Sequence, residues 1–154
     1  REVGIREVQV AYNGEIVRLA PGPVRIVDDA PVGRLFRDGR LIVPSGDGPV
    51  RERRKLANVG IVVVSLVLSR KGTLMADPAV VLDGVPYEDE DGEPMEEIAL
   101  SAVDGALRSI PPDRRRDHEM VGEAVRRSVR SAVAEAWGKK TIVKVLTSVV
   151  DGKG

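Results

Sequence analysis

The strongest hydrophobic pattern along the chain is the run IVVVSLVL at positions 61–68, where no charged residue interrupts the apolar positions. A strand with one solvent-exposed face alternates apolar and polar residues, whereas a strand that is buried on both faces does not. We therefore predict a central β-strand at 61–68 that is buried by something on each face, so that Val63→Asp should unfold the domain. The segment 73–85 is expected to return beside it as an edge strand, because Pro78 has no amide hydrogen to donate to a sheet.

Two helices are predicted in the second half of the chain, where apolar residues recur at intervals of three and four. The first occupies 95–110 and stops at Pro111-Pro112, and the second runs from about 117 to 137. Gly138 ends the second helix, and a last strand follows at 141–150. The apolar positions of the two helices are Met95, Ile98, Ala99, Ala102, Val103, Ala106, Leu107 and Ile110, then Met120, Val121, Ala124, Val125, Val129, Ala132, Val133 and Ala136.

The order of these elements over residues 59–150 is strand, strand, helix, helix, strand. Two antiparallel helices on one face of a sheet leave the last strand running parallel to the first. We predict an α+β fold, with a small three-stranded mixed sheet in the order second, first, third and both helices on one face. Because the first and last strands are apolar on both sides of the pleat, the second face of the sheet needs a partner.

The N-terminal part of the chain predicts a β-hairpin. Residues 5–12 and 15–19 read as its two strands, and Asn13-Gly14 is a strong signal for the turn between them. The first four residues, Arg-Glu-Val-Gly, resemble the last turn of a helix whose earlier turns are missing. We therefore interpret the chain as a fragment of a longer protein.

A connector is predicted after this hairpin. Residues 24–49 are rich in Gly, Pro and Asp but contain short apolar pieces, which favours a segment with strands over a free linker. Asp38-Gly39 is a further candidate for a hairpin turn. A short basic helix is expected at 51–59, before a turn at Gly60.

The composition of the 154-residue chain excludes several kinds of chemistry. It has no Cys and one His, which excludes disulfides, thiolate zinc sites and a cysteine nucleophile. No phosphate-binding loop, nucleophile elbow or dinucleotide-binding glycine pattern occurs, so we assign no catalytic residue. No apolar run approaches the roughly 18 residues that span a bilayer, and we expect a cytoplasmic protein without a membrane partner.

Charge is balanced over the chain but unevenly distributed. Residues 61–112 hold 3 Lys/Arg against 10 Asp/Glu, whereas residues 113–154 hold 10 against 6. Arg126, Arg127 and Arg130 fall opposite the apolar stripe of the second helix and predict a basic ridge. The candidate RNA-contacting residues are Arg115, Arg116, Arg126, Arg127, Arg130, Lys139 and Lys140.

The same basic residues have a simpler interpretation, since helices place charge on their solvated faces by default. Glu119, Glu123 and Glu135 also dilute the ridge. Similarly, His118 is expected to be an exposed or capping residue, because no second His or Cys accompanies it. The acidic run 88–91 lacks the spacing of a calcium loop and is read as a solvated loop. No metal ligand is therefore assigned.

Several segments resemble the C-terminal part of ribonuclease J, a β-CASP ribonuclease of the metallo-β-lactamase superfamily. They are RERRKLANVGIVVV at 51–64, Lys71-Gly72, Asp83-Gly84-Val85 and WGKKTIVKVLTSVV at 137–150. Upstream, REVGIREVQVAYNGEIVRLAPG and PVGRLFRDGRLIV are similar to the last strands of that family's β-lactamase core and to its connector. The resemblance implies three parts: 1–22 as the tail of the core, 23–50 as the connector and 51–150 as the C-terminal domain.

The resemblance also implies an activity for the longer protein, called the parent below. A parent of this family hydrolyses RNA with one or two zinc or manganese ions, both within chains and from the 5′ end. The family's catalytic His and Asp motifs lie upstream of the position that matches Arg1, so none is carried over and no cofactor is expected in this fragment.

Three functions remain open for the fragment at this point. The first is a non-catalytic assembly module that stabilises dimers or tetramers of the parent, which itself binds RNA. The second is an RNA-binding module that uses the basic ridge, and the third is a docking site for other RNA-decay proteins.

Overall fold

The computed structural model describes residues 4, 7–46 and 48–151. The chain divides into two compact units, Arg1–Arg51 and Glu52–Gly154. The helix end predicted at residues 1–4 lies mostly outside the described residues, and so do residues 5 and 6 of the first predicted strand.

The first unit contains two small antiparallel sheets. Strand β1 (Glu15–Arg18) pairs with β2 (Arg25–Asp29), and β3 (Leu35–Asp38) pairs with β4 (Leu41–Pro44). The second pair confirms the hairpin predicted at Asp38-Gly39, where Gly39 has a φ of 62°.

The prediction of a hairpin around Asn13-Gly14 is wrong about which strand pairs with β1. Residues 7–12 form no strand, and β1 pairs with β2. The turn itself does form. The Glu15 amide donates to the Tyr12 carbonyl at 3.1 Å, and the Tyr12 amide donates to the Glu15 carboxylate at 2.7 Å. These bonds close the turn locally, whereas the backbone hydrogen bonds of strand β1 are made with strand β2.

The predicted basic helix is present as α1 (Pro49–Val59), and none of its residues is buried. Gly60 follows with a φ of 60°, in the left-handed region that glycine adopts at low cost. Its amide donates to the Leu56 carbonyl at 2.8 Å and so closes the helix.

The second unit contains a three-stranded mixed sheet made of β5 (Ile61–Ser69), β6 (Ala79–Asp83) and β7 (Ile142–Val150). The spatial order is β6-β5-β7, with β6 antiparallel and β7 parallel to β5. This confirms the predicted order of second, first, third. The edge strand is shorter than predicted and begins directly after Pro78, which fits the missing amide hydrogen of proline.

Helices α2 (Met95–Ser109) and α3 (His118–Trp137) follow the sheet, close to their predicted bounds. The Asp117 side chain accepts a hydrogen bond from the Met120 amide and caps α3, and Gly138 closes it in the left-handed conformation. Both helices contribute to the same hydrophobic core as the sheet. The core consists of Val62, Val64, Leu66, Leu68, Met95, Ala99, Val103, Ala106, Leu107, Ile110, Val121, Val125, Val129, Val133 and Val143.

Candidate assembly face and basic helix residues

The two helices cover one face of β5 and leave the other partly exposed. Val62, Val64, Leu66 and Leu68 are 0% exposed, whereas the residues between them are only half-buried. Val63 belongs to the second group, so this chain itself covers only one of the two faces, and we no longer expect Val63→Asp to unfold the domain. Both sets are mainly apolar, and polar Ser65 in the half-buried set is the one signal within this part of the strand for which set the helices would leave uncovered.

The uncovered side, called the open face, extends across all three strands. The register places Val81 of β6 and Lys144 of β7 on either side of Val63. Val81 is 55% exposed and Leu146 is 58% exposed. The open face consists of Ala79, Val81 and Asp83 of β6, then Ile61, Val63, Ser65, Val67 and Ser69 of β5, then Ile142, Lys144, Leu146, Ser148 and Val150 of β7. It is therefore a mainly apolar surface with only two charged positions.

The predicted basic ridge is partly neutralised by its own helix. Arg126 donates two hydrogen bonds to the Glu123 carboxylate, at 2.7 and 2.6 Å, and Arg127 Nε lies 3.7 Å from the same group. The hydrogen bond from Arg126 lowers the pKa of Glu123, and the same contact raises the pKa of Arg126. The spacing of three and four residues between these side chains is the signal that could have identified this cluster.

The other candidate RNA-contacting residues do not gather at one place. Arg115 and Arg116 precede α3, and Lys139 and Lys140 follow it. A 20-residue helix is about 30 Å long, so the two pairs lie at opposite ends of it.

Two of these residues already make structural contacts. Arg115 is half-buried and donates from Nε to the Ile110 carbonyl at 2.9 Å. Lys139 Nζ lies 3.3 Å from the Asn58 carbonyl oxygen and 4.8 Å from the centre of the Trp137 ring. Arg116, Arg130 and Lys140 are exposed, and Lys139 is exposed as well despite its contacts.

The single histidine has a structural contact. His118 Nε2 lies 3.2 Å from the carbonyl oxygen of Ser69, which connects the first residue of α3 to the last residue of β5. In the acidic loop, Asp89 Oδ1 accepts hydrogen bonds from the amides of Asp91 and Glu93. Among the residues that the structure describes, no group of three or more His, Cys, Asp or Glu is arranged to hold a metal ion.

These features define the class of the second unit as a two-layer α+β module, with a three-stranded mixed sheet and two helices on one face. The family model of the ribonuclease J C-terminal domain matches residues 48–150, and the chain belongs to this family. Within the described ranges, no helix is both long enough and apolar enough to cross a membrane.

Proteins named ribonuclease J or J2 are similar to this chain along most of its length. Ribonuclease J of Sinorhizobium meliloti is 46% identical over 96% of this chain and 26% of its own length. Ribonuclease J of Mycobacterium tuberculosis is 29% identical over 88% of the chain and 24% of its own length. Ribonuclease J2 of Bacillus subtilis is 24% identical over 91% of the chain and 25% of its own length. The chain thus spans about a quarter of the length of these relatives.

Proposed function

We propose that this chain is the non-catalytic C-terminal assembly module of a ribonuclease J. Its parent hydrolyses RNA phosphodiesters, as endonuclease and as 5′-to-3′ exonuclease, in RNA maturation and decay. The parent would act in the cytoplasm with zinc or manganese ions held by residues outside this chain. Support for the parent's activity comes from the relatives, whose names are those of ribonucleases.

We further propose that residues 1–22 are the tail of the β-lactamase core, 23–50 the connector and 51–150 the C-terminal domain. The match of the family model to 48–150 supports the last of these bounds. In this arrangement the module is attached to the catalytic part of the parent and holds two or four parents together.

The observation that carries the assembly role is the exposed apolar surface of the open face. Val63 and Val67 of the central strand are only half-buried, and their neighbours Val81 and Leu146 are more than half exposed. Contiguous exposed apolar surface of this kind usually marks an interface, because removing apolar surface from water contributes about 25 cal/mol per Å² before the entropic cost of association is subtracted. A second module would supply a matching apolar face.

Sedimentation velocity of the chain at about 0.1 and 1 M salt tests this role. Apolar burial should hold the association at both salt concentrations, whereas charge-driven contacts weaken as the Debye length shrinks to about 3 Å. A strict monomer at high micromolar concentration in both conditions would remove self-assembly. It would favour docking of the open face onto the rest of the parent or onto other RNA-decay proteins.

A cleavage assay tests the non-catalytic part of the proposal. We expect no RNA hydrolysis by the chain with added zinc or manganese, because metal catalysis needs ligands that hold the ion and lower the pKa of its water. Metal-dependent cleavage that survives repurification would contradict the proposal.

An RNA-binding role is the second candidate, and the exposed Arg116, Arg130 and Lys140 favour it. The pairing of Arg126 and Arg127 with Glu123 weighs against it, because a guanidinium held by a carboxylate releases fewer counterions from RNA. Filter binding of single-stranded RNA at several salt concentrations separates the two roles.

A further inference from the structure

The open face carries two charged side chains of opposite sign. Lys144 lies on β7 opposite Val63, and Asp83 lies on β6 opposite Ile61. Both are exposed, and within the described residues neither side chain takes part in a salt bridge or a hydrogen bond. Strand β5 separates them, since the sheet order is β6-β5-β7. The open face thus has one negative charge on β6 and one positive charge on β7, and its other residues are apolar or small.

If the strands of the two copies are to be nearly aligned, a second copy can stack on this face about either of two kinds of two-fold axis. If the axis runs parallel to β5, β6 of one copy lies over β7 of the other. If it runs across the strands, each strand lies over the same strand of its partner, so β7 lies over β7. Packed sheets are about 10 Å apart with their strands nearly aligned, so both arrangements bury the apolar positions.

The two arrangements differ in what happens to the charges. If the axis runs across the strands, β7 lies over β7 of the second copy. Lys144 then faces the open-face residues of a strand that carries the other Lys144 and no carboxylate. With the axis parallel to β5, Lys144 lies over β6 of the second copy, one side-chain row from Asp83. Two residues along a strand span only about 7 Å, a distance that a long lysine side chain can reach across. Symmetry then repeats the contact, so the dimer contains two opposite-charge pairs.

We propose that the occupant of the open face is a second copy of this chain, related by a two-fold axis parallel to β5, with Lys144 of each copy paired with Asp83 of the other. This proposal rests on the assembly role proposed above and deepens it. The apolar positions supply the association, and the charge pairs select one orientation, which is the usual effect of complementary charges at an interface. Two-fold interfaces of this kind are closed, so the expected product is a dimer and not a fibre.

Charge reversal in trans tests the orientation. Lys144→Glu places two carboxylates against each other in both pairs, and Asp83→Lys places two ammonium groups against each other. Each single variant should therefore raise the dimer dissociation constant by at least about tenfold at low salt, because like charges replace two favourable pairs. An equimolar mixture of the two variants should form a heterodimer with affinity within about threefold of the wild type, because both of its pairs are again opposite in sign.

The mixture separates pairing between copies from pairing within one copy. A contact within one chain would be restored in the double variant but not by mixing two single variants. Sedimentation equilibrium gives the dissociation constants, and native mass spectrometry with one variant isotope-labelled identifies the heterodimer. Arg127→Glu and Glu97→Lys are the matched controls, since they reverse exposed charges on helices that cover the other face. Thermal melts followed by circular dichroism show that every variant is folded.

Three outcomes are distinguishable. Weakened single variants with recovery in the mixture support the proposed orientation. A dimeric wild type whose variants associate normally, or whose mixture does not recover, overturns the orientation but leaves the assembly role in place. A monomeric wild type overturns the assembly role and the orientation together.

Discussion

The two faces of β5 have similar apolar side chains but different surroundings. On the covered face, Val64 and Leu66 are completely buried against α2 and α3. On the open face, Val63 and Val67 of the same strand are only half-buried. Burial of the first pair contributes to the free energy of unfolding, whereas the remaining exposed area of the second pair can be buried only on binding. Side-chain hydrophobicity alone therefore does not separate a folding surface from a binding surface.

The largest effect is expected from Val64→Asp, on the covered face. The new carboxylate would be buried without a partner, which costs several kcal/mol and exceeds what a small module can lose. We expect the variant to lose the cooperative thermal transition of the second unit in circular dichroism. The matched control is Val63→Asp, one position along the same strand, which should keep its transition. Equal unfolding by both variants would contradict the difference between the two faces.

Gly72→Ala should give the next largest loss of stability, because it disturbs the covered side at the end of the sheet. A Cβ at Gly72 would overlap the Arg115 carbonyl group, and the backbone has a φ of +79°. Steric overlap and left-handed strain together should lower the free energy of unfolding by about 3 kcal/mol. The control is Gly92→Ala, with a φ of +83° but open space around the new Cβ, which should cost only about 1 kcal/mol. Urea titrations measure both, and equal losses would show that the contact with Arg115 is unimportant.

Val63→Asp should act mainly on association. Its side chain lies on the open face, where a carboxylate remains partly hydrated in the monomer but would be buried in a complex. We expect a folded chain whose dimer dissociation constant is raised at least about tenfold, which corresponds to about 1.4 kcal/mol. Sedimentation velocity over a concentration series measures this change. An unaltered dissociation constant would mean that the open face is not the interface.

The smallest effect is expected at the basic helix residues, which form a separate surface from the open face. Glu123 has a lowered pKa beside Arg126, so it is ionised at neutral pH and holds two guanidinium groups. A carboxylate with a lowered pKa loses this pairing only as the pH falls below the usual carboxyl range. Glu123→Gln removes the pairing at neutral pH and should raise affinity for single-stranded RNA a few-fold at low salt.

Glu97→Gln on α2 makes the same change of charge away from α3 and is the control for this RNA measurement. Fluorescence anisotropy with a labelled oligonucleotide, at about 50 and 200 mM salt, measures both variants. A gain of the same size in both would show that net charge, and not release of Arg126 and Arg127, is responsible.

Much of the second unit could be predicted from the sequence. The three strands, the two helices and the order β6-β5-β7 follow from local periodicity and from the short connections between elements. The partner of β1 could not be predicted in this way. The turn at Asn13-Gly14 does form, but Glu15 closes it locally. Strand β1 then forms its backbone hydrogen bonds with residues 25–29. A turn signal identifies a reversal of the chain and not the strand that pairs after it.

The sequence by itself determined where the helices and strands of the second unit lie, because their periods are properties of neighbouring residues. Only the tertiary structure decided which side of β5 became the core. Both sides are mainly apolar, with Ser65 on the open side, and the choice depends on where the distant helices α2 and α3 pack. It also decided the contact of Lys139 with the Asn58 carbonyl, because these residues are far apart in the chain and no local pattern predicts that they meet.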